Sequence, residues 1–108
     1  MNWYARVTRK MHFDMHTPAA VEGVGIDFDA ERLADGLDAA GVQAICYFAK
    51  CAYGWSYYPT RVGRRHPHLA TDTFPPAVDA CHRRGIRVLG YYHVSGCEWA
   101  GDHPQWHG

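Results

Sequence analysis

No apolar run in this chain approaches the roughly 20 residues that a membrane span requires. The first residues, MNWYARVTRKMHF, lack the continuous apolar segment and the small-residue cleavage site of a secretory signal. Neither sign of charge is in excess, because the formal net charge is zero and the charged residues are scattered. Nucleic-acid binding would need a concentrated basic face. We therefore expect a cytoplasmic protein that binds neither membranes nor nucleic acid.

Metal and disulfide patterns are also missing. The four cysteines, Cys46, Cys51, Cys81 and Cys97, show no C-x-x-C spacing. Free thiols are therefore expected rather than a zinc site or disulfides. The eight histidines are many for 108 residues, but apart from two close pairs they lie far apart in the chain. We expect no metal and no cofactor.

What the chain does contain is a helix–glycine–strand unit that occurs twice. Asp29 and Thr73 are suitable caps for the two helices, and Gly41 and Gly85 are natural helix terminators. Both strands that follow are apolar on both faces, as expected for buried strands of a parallel sheet. The predicted elements are strands near 10–16, 42–50 and 86–94, and helices near 30–40 and 74–84.

Strands that alternate with helices predict an α/β fold with parallel pairing, in the order β-α-β-α-β. The architecture is either a small open sheet or the first units of a TIM (β/α)8 barrel, whose usual length is about 250 residues. The last residues, EWAGDHPQWHG, form no obvious terminal element. This favours residues 1–108 as the N-terminal fragment of a barrel, incomplete in this chain. The long connection from Ala52 to Leu69 is typical of a functional loop.

Three ionisable residues share one face of the first strand. Strand alternation in KMHFDMH places His12, Asp14 and His16 on that face, opposite Met11 and Phe13. Burial of such groups is costly unless they are paired or solvated. One interpretation is a hydrogen-bonded network inside a barrel. The other is that His16, at the carboxyl end of the strand, contacts a ligand, because parallel α/β folds place their sites there.

The second strand ends at Lys50, directly before a loop rich in aromatic rings. Lys50 is either a surface lysine or a ligand contact at the same edge of the sheet. Tyr53 and Trp55 present rigid ring faces with polar tips. Such rings either pack the loop onto the domain or stack on the C–H faces of a sugar, and we expect both uses.

Further candidates follow the third strand. His93, Glu98 and Trp99 lie at or beyond its carboxyl end. A carboxylate beside an indole fits a sugar site, in which Glu98 would serve as acid, base or hydroxyl acceptor. The alternative is an exposed loop glutamate. Cys51 is a weaker candidate nucleophile, because no base partner can be named for it.

The order of the segments HFDMH, FAKCAYGWSYYPT, DACHRRGIRVLGYY and EW resembles the start of α-L-fucosidase-like glycoside hydrolases and related glycosidases. The resemblance extends from Met11 to Trp106 and implies a retaining (β/α)8 enzyme with a carbohydrate substrate. His16 corresponds to a histidine that ends the first strand in that group, although Thr17 stands where the fucosidases have tryptophan.

The later segments match the group in part. Four residues of the second segment keep the group's frame: Ala49, Lys50, Gly54 and Trp55. Three others replace two sugar-binding histidines and an aspartate: Cys51, Ala52 and Tyr53. Four more match the end of the third strand: Tyr91, Tyr92, Glu98 and Trp99. Because of these replacements, the chain more closely resembles glycosidases that have a cysteine after the lysine, some of them galactosidase-like, than the fucosidases themselves.

In the group that this chain resembles, the nucleophile is an aspartate at the end of the fourth strand. That strand would lie outside this chain, so the chain alone is expected to be inactive and to expose unpaired sheet edges. Two other functions are compatible with the sequence. One is a non-catalytic or degenerate carbohydrate-binding protein. The other is a sugar isomerase or metal-dependent lyase that uses His12, Asp14 and His16. Oligomerisation of the full-length protein is left open.

Overall fold

The computed structural model describes residues 2–94 and 97–106. Its elements, in chain order, are α1 (Trp3–Arg6), β1 (Lys10–His12), α2 (Ala30–Ala39), β2 (Ala44–Lys50), β3 (Trp55–Ser56), β4 (Arg64–Arg65), α3 (Phe74–Arg83), β5 (Arg87–Tyr92), α4 (Glu98–Gly101) and a 3-10 turn (Pro104–Trp106). The two long helices begin and end close to the predicted limits. Strand β1 is shorter than the predicted 10–16, because its ladder with β2 ends at His12.

The sheet is mixed and mostly parallel. Strand β2 lies between β1 and β5 and pairs with both in parallel. The loop after β2 adds two short strands: β3 runs antiparallel to β2, and β4 pairs with β3. Within the described residues, β1 and β5 pair with β2 alone. The predicted α/β class with parallel strands is therefore confirmed, while the predicted long loop contains two paired strands.

The helix ends follow the sequence signals in most respects. The Asp29 side chain accepts a hydrogen bond from the backbone N–H of Arg32 at 3.1 Å. Gly41 and Gly85 adopt φ angles of 73° and 72°, the left-handed conformation that ends a helix.

The predicted capping by Thr73 is wrong. Its hydroxyl oxygen is buried and has no hydrogen-bond partner among the described residues. A capping oxygen accepts from the second or third N–H of a helix. Those positions are Pro75 and Pro76, and proline has no N–H.

The main core lies between the sheet and the two long helices. Ile45 and Tyr47 of β2 face the helices and are 1% and 4% exposed. They pack against small and aliphatic side chains of α2, α3 and the residue before β5: Ala34, Leu37, Ala77, Ala80, Cys81 and Ile86. The alternation predicted for the first strand is also seen, since Phe13 and Met15 pack onto this core.

The opposite face of the sheet is covered by aromatic rings. Phe48 of β2 is fully buried, and Tyr91 of β5 stacks on it with ring centroids 4.1 Å apart. The rings of His12 and His16 also contact Phe48. Strand β5 was predicted to be buried, but this is wrong. Among the described residues it pairs with β2 alone, on one edge, and Leu89 is 37% exposed.

The end of the chain is also more regular than predicted. Residues expected to lack an element form the short helix α4 and the 3-10 turn. The predicted domain limit at Gly108 lies outside the described residues. None of the helices described is long and apolar enough to cross a membrane.

Candidate functional site

Three of the predicted site residues meet where the parallel strands end. His16 follows β1, Lys50 is the last residue of β2, and His93 follows β5. The ring centroids of His16 and His93 are 6.0 Å apart, and the Lys50 ammonium donates to the His93 carbonyl at 2.7 Å. We call these three residues the strand-end cluster.

The hydrogen bonds of His16 define which of its nitrogens carries the proton. Its Nδ1 accepts the backbone N–H of Ala52 at 3.0 Å. The neutral ring must therefore hold its proton on Nε2, which lies 3.5 Å from Oδ1 of Asp14. The His16 side chain is 31% exposed and that of Asp14 is 72% exposed. The arrangement offers a solvent-facing N–H donor with a carboxylate beside it.

Aromatic rings form the floor under this cluster. His16 meets Phe48 and Tyr91 edge-on, with centroids 4.8 Å and 5.7 Å apart. The Tyr91 hydroxyl lies 2.8 Å from Nδ1 of His93. His12 reaches the same rings from deeper in the sheet. The predicted row of ionisable groups thus rests on apolar rings and keeps its polar edge outward.

Lys50 is buried and is not a surface lysine. It is 4% exposed, and its ammonium lies 4.8 Å from the centroid of the Tyr92 ring. The ammonium also stands beside the thiol of Cys97. Burial alone would raise the pKa of that thiol, but hydrogen bonds from the backbone at Ala100 and from Lys50 outweigh burial and lower the pKa. Lys50 therefore links the ends of β2 and β5 to the start of α4.

The ring-rich loop is held against α4 through Gly54. This glycine has φ 83°, and a Cβ at this position would lie 2.6 Å from the Cβ of Trp99 and 3.2 Å from Sγ of Cys97. Such distances leave no room for a side chain. The loop after β2 and the segment after β5, far apart in sequence, are thereby packed as one wall.

Trp55 was predicted to stack on a ligand, but an arginine already contacts one face of its ring. The Arg64 guanidinium lies 4.6 Å from the Trp55 ring centroid and 5.6 Å from that of Trp99. One face of each indole is therefore occupied by an arginine. Tyr53 is half-buried and packs on the second buried cluster of the loop: Phe48, Cys51, Tyr57 and Leu69. The loop rings therefore pack the loop onto the domain, as expected, and their contact with a ligand stays a prediction.

Glu98 is the first residue of α4 and is exposed. Its backbone N–H donates to the Ala52 carbonyl at 3.1 Å. No ion pair to its carboxylate is found within residues 2–94 and 97–106. The carboxylate is thus held beside the wall by its backbone and remains accessible to a ligand.

Several contacts at the site were not predicted. Lys50 and Cys97 were not recognised as neighbours, and Tyr57 was not recognised as an anchor of the first strand. The Tyr57 hydroxyl donates to the Met15 carbonyl at 2.5 Å and lies 2.9 Å from the hydroxyl of Thr17. Burial raises the pKa of Tyr57 strongly. The available signal was a tyrosine two residues before a proline in the long connection.

Possible metal and cavity sites are absent from the described residues or lie apart from the strand-end cluster. The part of the chain that the structure describes has no group of three or more His, Cys, Asp or Glu side chains that could hold a metal ion. A cavity of about 520 Å³ lies beside α3 and not at the strand-end cluster. Its lining is mostly apolar: Ala49, Tyr58, Phe74, Pro75, Val78 and Asp79.

This chain is similar to glycoside hydrolases in both sequence and structure. The sequence model of the family described as hypothetical glycosyl hydrolase 6 matches residues 29–108. Among solved structures, alpha-L-fucosidase isoenzyme 2 from Paenibacillus thiaminolyticus is similar, with 33% identity and a TM-score of 0.82 over 91% of this chain. An alpha-L-fucosidase from Bacteroides thetaiotaomicron shares the fold, with 20% identity and a TM-score of 0.63 over 78% of this chain. No curated protein sequence matches.

Both enzymes are much longer than this chain. The chain spans 15% of the length of the first enzyme and 19% of the second. The mixed, mostly parallel sheet is consistent with part of a fucosidase catalytic domain. The resemblance to fucosidase-like glycoside hydrolases that the motifs indicated is therefore confirmed.

Proposed function

This chain belongs to the hypothetical glycosyl hydrolase 6 family, and from that membership we propose that it forms part of a glycoside hydrolase acting on a terminal sugar. The enzyme would be fucosidase-like or galactosidase-like, and its substrate a fucoside or a galactoside. Within the proposed enzyme, β1, β2 and β5 are the first three strands of a (β/α)8 barrel, and the remaining strands would pair with the open edges of β1 and β5.

The observation that carries this proposal is the strand-end cluster. His16, Lys50 and His93 meet at the carboxyl ends of three neighbouring parallel strands. Enzymes of parallel α/β architecture bind their substrates at that end of the sheet. The cluster combines ring N–H groups with an aromatic floor, a combination suited to sugar hydroxyls and C–H faces.

The roles follow from the contacts. The Nε2–H of His16 donates to a sugar hydroxyl, and Asp14 beside it accepts from another. His93 lies across from His16 and completes the polar edge, while Tyr91 orients it. Lys50 is a positioning residue, because its ammonium holds the His93 backbone and not the open site.

The hydrolytic step needs two carboxyl groups. A retaining glycosidase places them about 5–5.5 Å apart, one as nucleophile and one as acid and base. In this chain Glu98 is our candidate for one of them. We assign the nucleophile to a strand that follows β5 in the barrel and lies beyond these residues.

We expect the whole protein to release nitrophenol from a nitrophenyl α-L-fucoside or a nitrophenyl galactoside, and treatment with EDTA to leave the rate unchanged. The isolated 108-residue chain, as the matched control, is expected to show no turnover because it lacks the proposed nucleophile. Proton NMR of the released sugar should show retained anomeric configuration.

The same panel separates the alternatives. Sugar binding by the whole protein without turnover would contradict the hydrolase proposal and favour a binding protein. Isomerisation of a sugar or elimination from it by the whole protein, abolished by EDTA, would favour a metal-dependent isomerase or lyase instead. Turnover by the isolated chain would refute the assignment of the nucleophile.

A further inference from the structure

Three aromatic side chains form a second group outside the strand-end cluster. Trp99 of α4, His103, and Trp106 of the 3-10 turn make what we call the outer ring cluster. The rings of His103 and Trp106 are parallel, with centroids 4.0 Å apart and planes 5° apart. Trp99 meets Trp106 edge-on at 5.5 Å and 88°. The ring of His103 is further held by its Nδ1, which lies 2.8 Å from the Trp99 carbonyl.

This cluster is continuous with the strand-end cluster. Trp99 packs directly on Gly54 of the loop after β2, and Cys97 contacts the same glycine. Cys97 in turn receives a hydrogen bond from Lys50. A wall of touching residues therefore leads from His93, at the strand ends, outward to Trp106, and exposed Glu98 lies on that wall beside Trp99.

The rings of the wall differ in how much free surface they offer. Arg64 lies over one face of Trp55 and one face of Trp99. His103 covers one face of Trp106, yet the residue is still 54% exposed. The opposite face of the Trp106 indole is therefore open to solvent and is held in a fixed orientation by its neighbours.

We propose that the outer ring cluster binds the second sugar of the substrate, the one that leaves on hydrolysis, by stacking it on the open face of Trp106. This inference rests on the proposed hydrolase function and assigns the leaving-group side of the same site. A rigid indole face with polar groups at its border fits the C–H patch of a pyranose ring and its surrounding hydroxyls. Polar groups stand close to the cluster, because the Arg64 guanidinium lies over the Trp99 ring and pairs with the carboxylate of Asp102 at 3.5 Å.

The experiment follows Trp106 directly in the whole protein. Fluorinated tryptophan is incorporated, and the Trp106 resonance is identified by its loss in the Trp106→Phe variant. Lactose and a fucosylated lactose are titrated in, and then L-fucose and D-galactose. The Trp106 resonance is expected to shift with the larger sugars and to stay in place with the single sugars.

A kinetic arm uses leaving groups of different size. Trp106→Ala is expected to lower kcat/KM for the larger sugar about tenfold more than for the matching glycosyl fluoride, which has no second sugar to stack. Tyr4→Ala is the matched control, because Tyr4 is 48% exposed and lies against Lys10, at the amino end of the strands. This variant is expected to keep the wild-type ratio.

A Trp106 resonance that stays in place with lactose and the fucosylated lactose would overturn the proposal, and so would an equal shift with the single sugars. An equal loss of kcat/KM on the two kinds of substrate would also overturn it. If the whole protein cleaves no glycoside, the hydrolase proposal fails, and the Trp106 resonance still decides whether this surface binds the second sugar.

Discussion

Replacing Lys50 by methionine in the whole protein is expected to lower kcat/KM for its glycoside about 10²-fold, the loss that a misplacement of about 1 Å can cause. Lys50 is buried, and methionine fills a similar volume without the charge. The His93 carbonyl loses its donor, and the contact with Cys97 at the start of α4 is lost as well. The end of β5 and the start of α4 are then free to move relative to β2.

Lys10→Met is the matched control, since these are the two lysines of the chain. Lys10 begins β1, at the opposite end of the strands, and its ammonium lies over the ring of Tyr4. The measurement is kcat and KM for both variants, together with their thermal midpoints. A folded Lys50→Met protein with a wild-type kcat/KM would contradict the positioning role of this ammonium.

Gly54→Ala should strongly destabilise the fold, by about 2–5 kcal/mol when the cost of left-handed backbone and of overpacking are combined. The residue has φ 83°, and the added Cβ would lie 2.6 Å from the Cβ and 3.0 Å from the backbone nitrogen of Trp99. A backbone atom cannot rotate away as the end of a flexible side chain can. The loop and α4 must therefore separate.

Gly85→Ala provides the control for backbone strain alone. Gly85 has a similar φ of 72°, and within the described part of the chain no atom lies within 4 Å of the added Cβ. The expected cost is about 1–2 kcal/mol, from the left-handed conformation only. Thermal midpoints of the two variants test the difference. Equal midpoints would mean that the loop and α4 are not packed together as described.

The repeated part of the fold was predictable because its signals are local. Asp29 at a helix start and Gly41 and Gly85 at helix ends act on neighbouring backbone groups. Because both partners of each interaction lie within a few residues of each other, the local sequence is enough to predict it. The alternation of His12 and Phe13 likewise follows from strand geometry. Thr73 was predicted wrongly because the two prolines after it remove the N–H groups that its hydroxyl would need.

The contacts within the site were less predictable, because they join distant segments. Lys50 donates to a carbonyl 43 positions away, and Arg64 of β4 reaches Trp99 of α4. No local pattern indicates which face of Trp55 an arginine will cover. The position of Lys50 at a strand end was enough to bring it to the site, but not to show that its ammonium is buried and used internally.

The most direct test of the proposed site is the imidazole signal of His16 in the whole protein during titration with L-fucose and with D-galactose. Isotope-labelled histidine reports the Nε2–H, and the His16→Ala variant identifies its resonance. A sugar that accepts a hydrogen bond from this N–H should shift the His16 signal in proportion to occupancy, with His93 shifting alongside. Sugar binding that leaves both signals unmoved would place the carbohydrate elsewhere and contradict the assignment of the strand-end cluster.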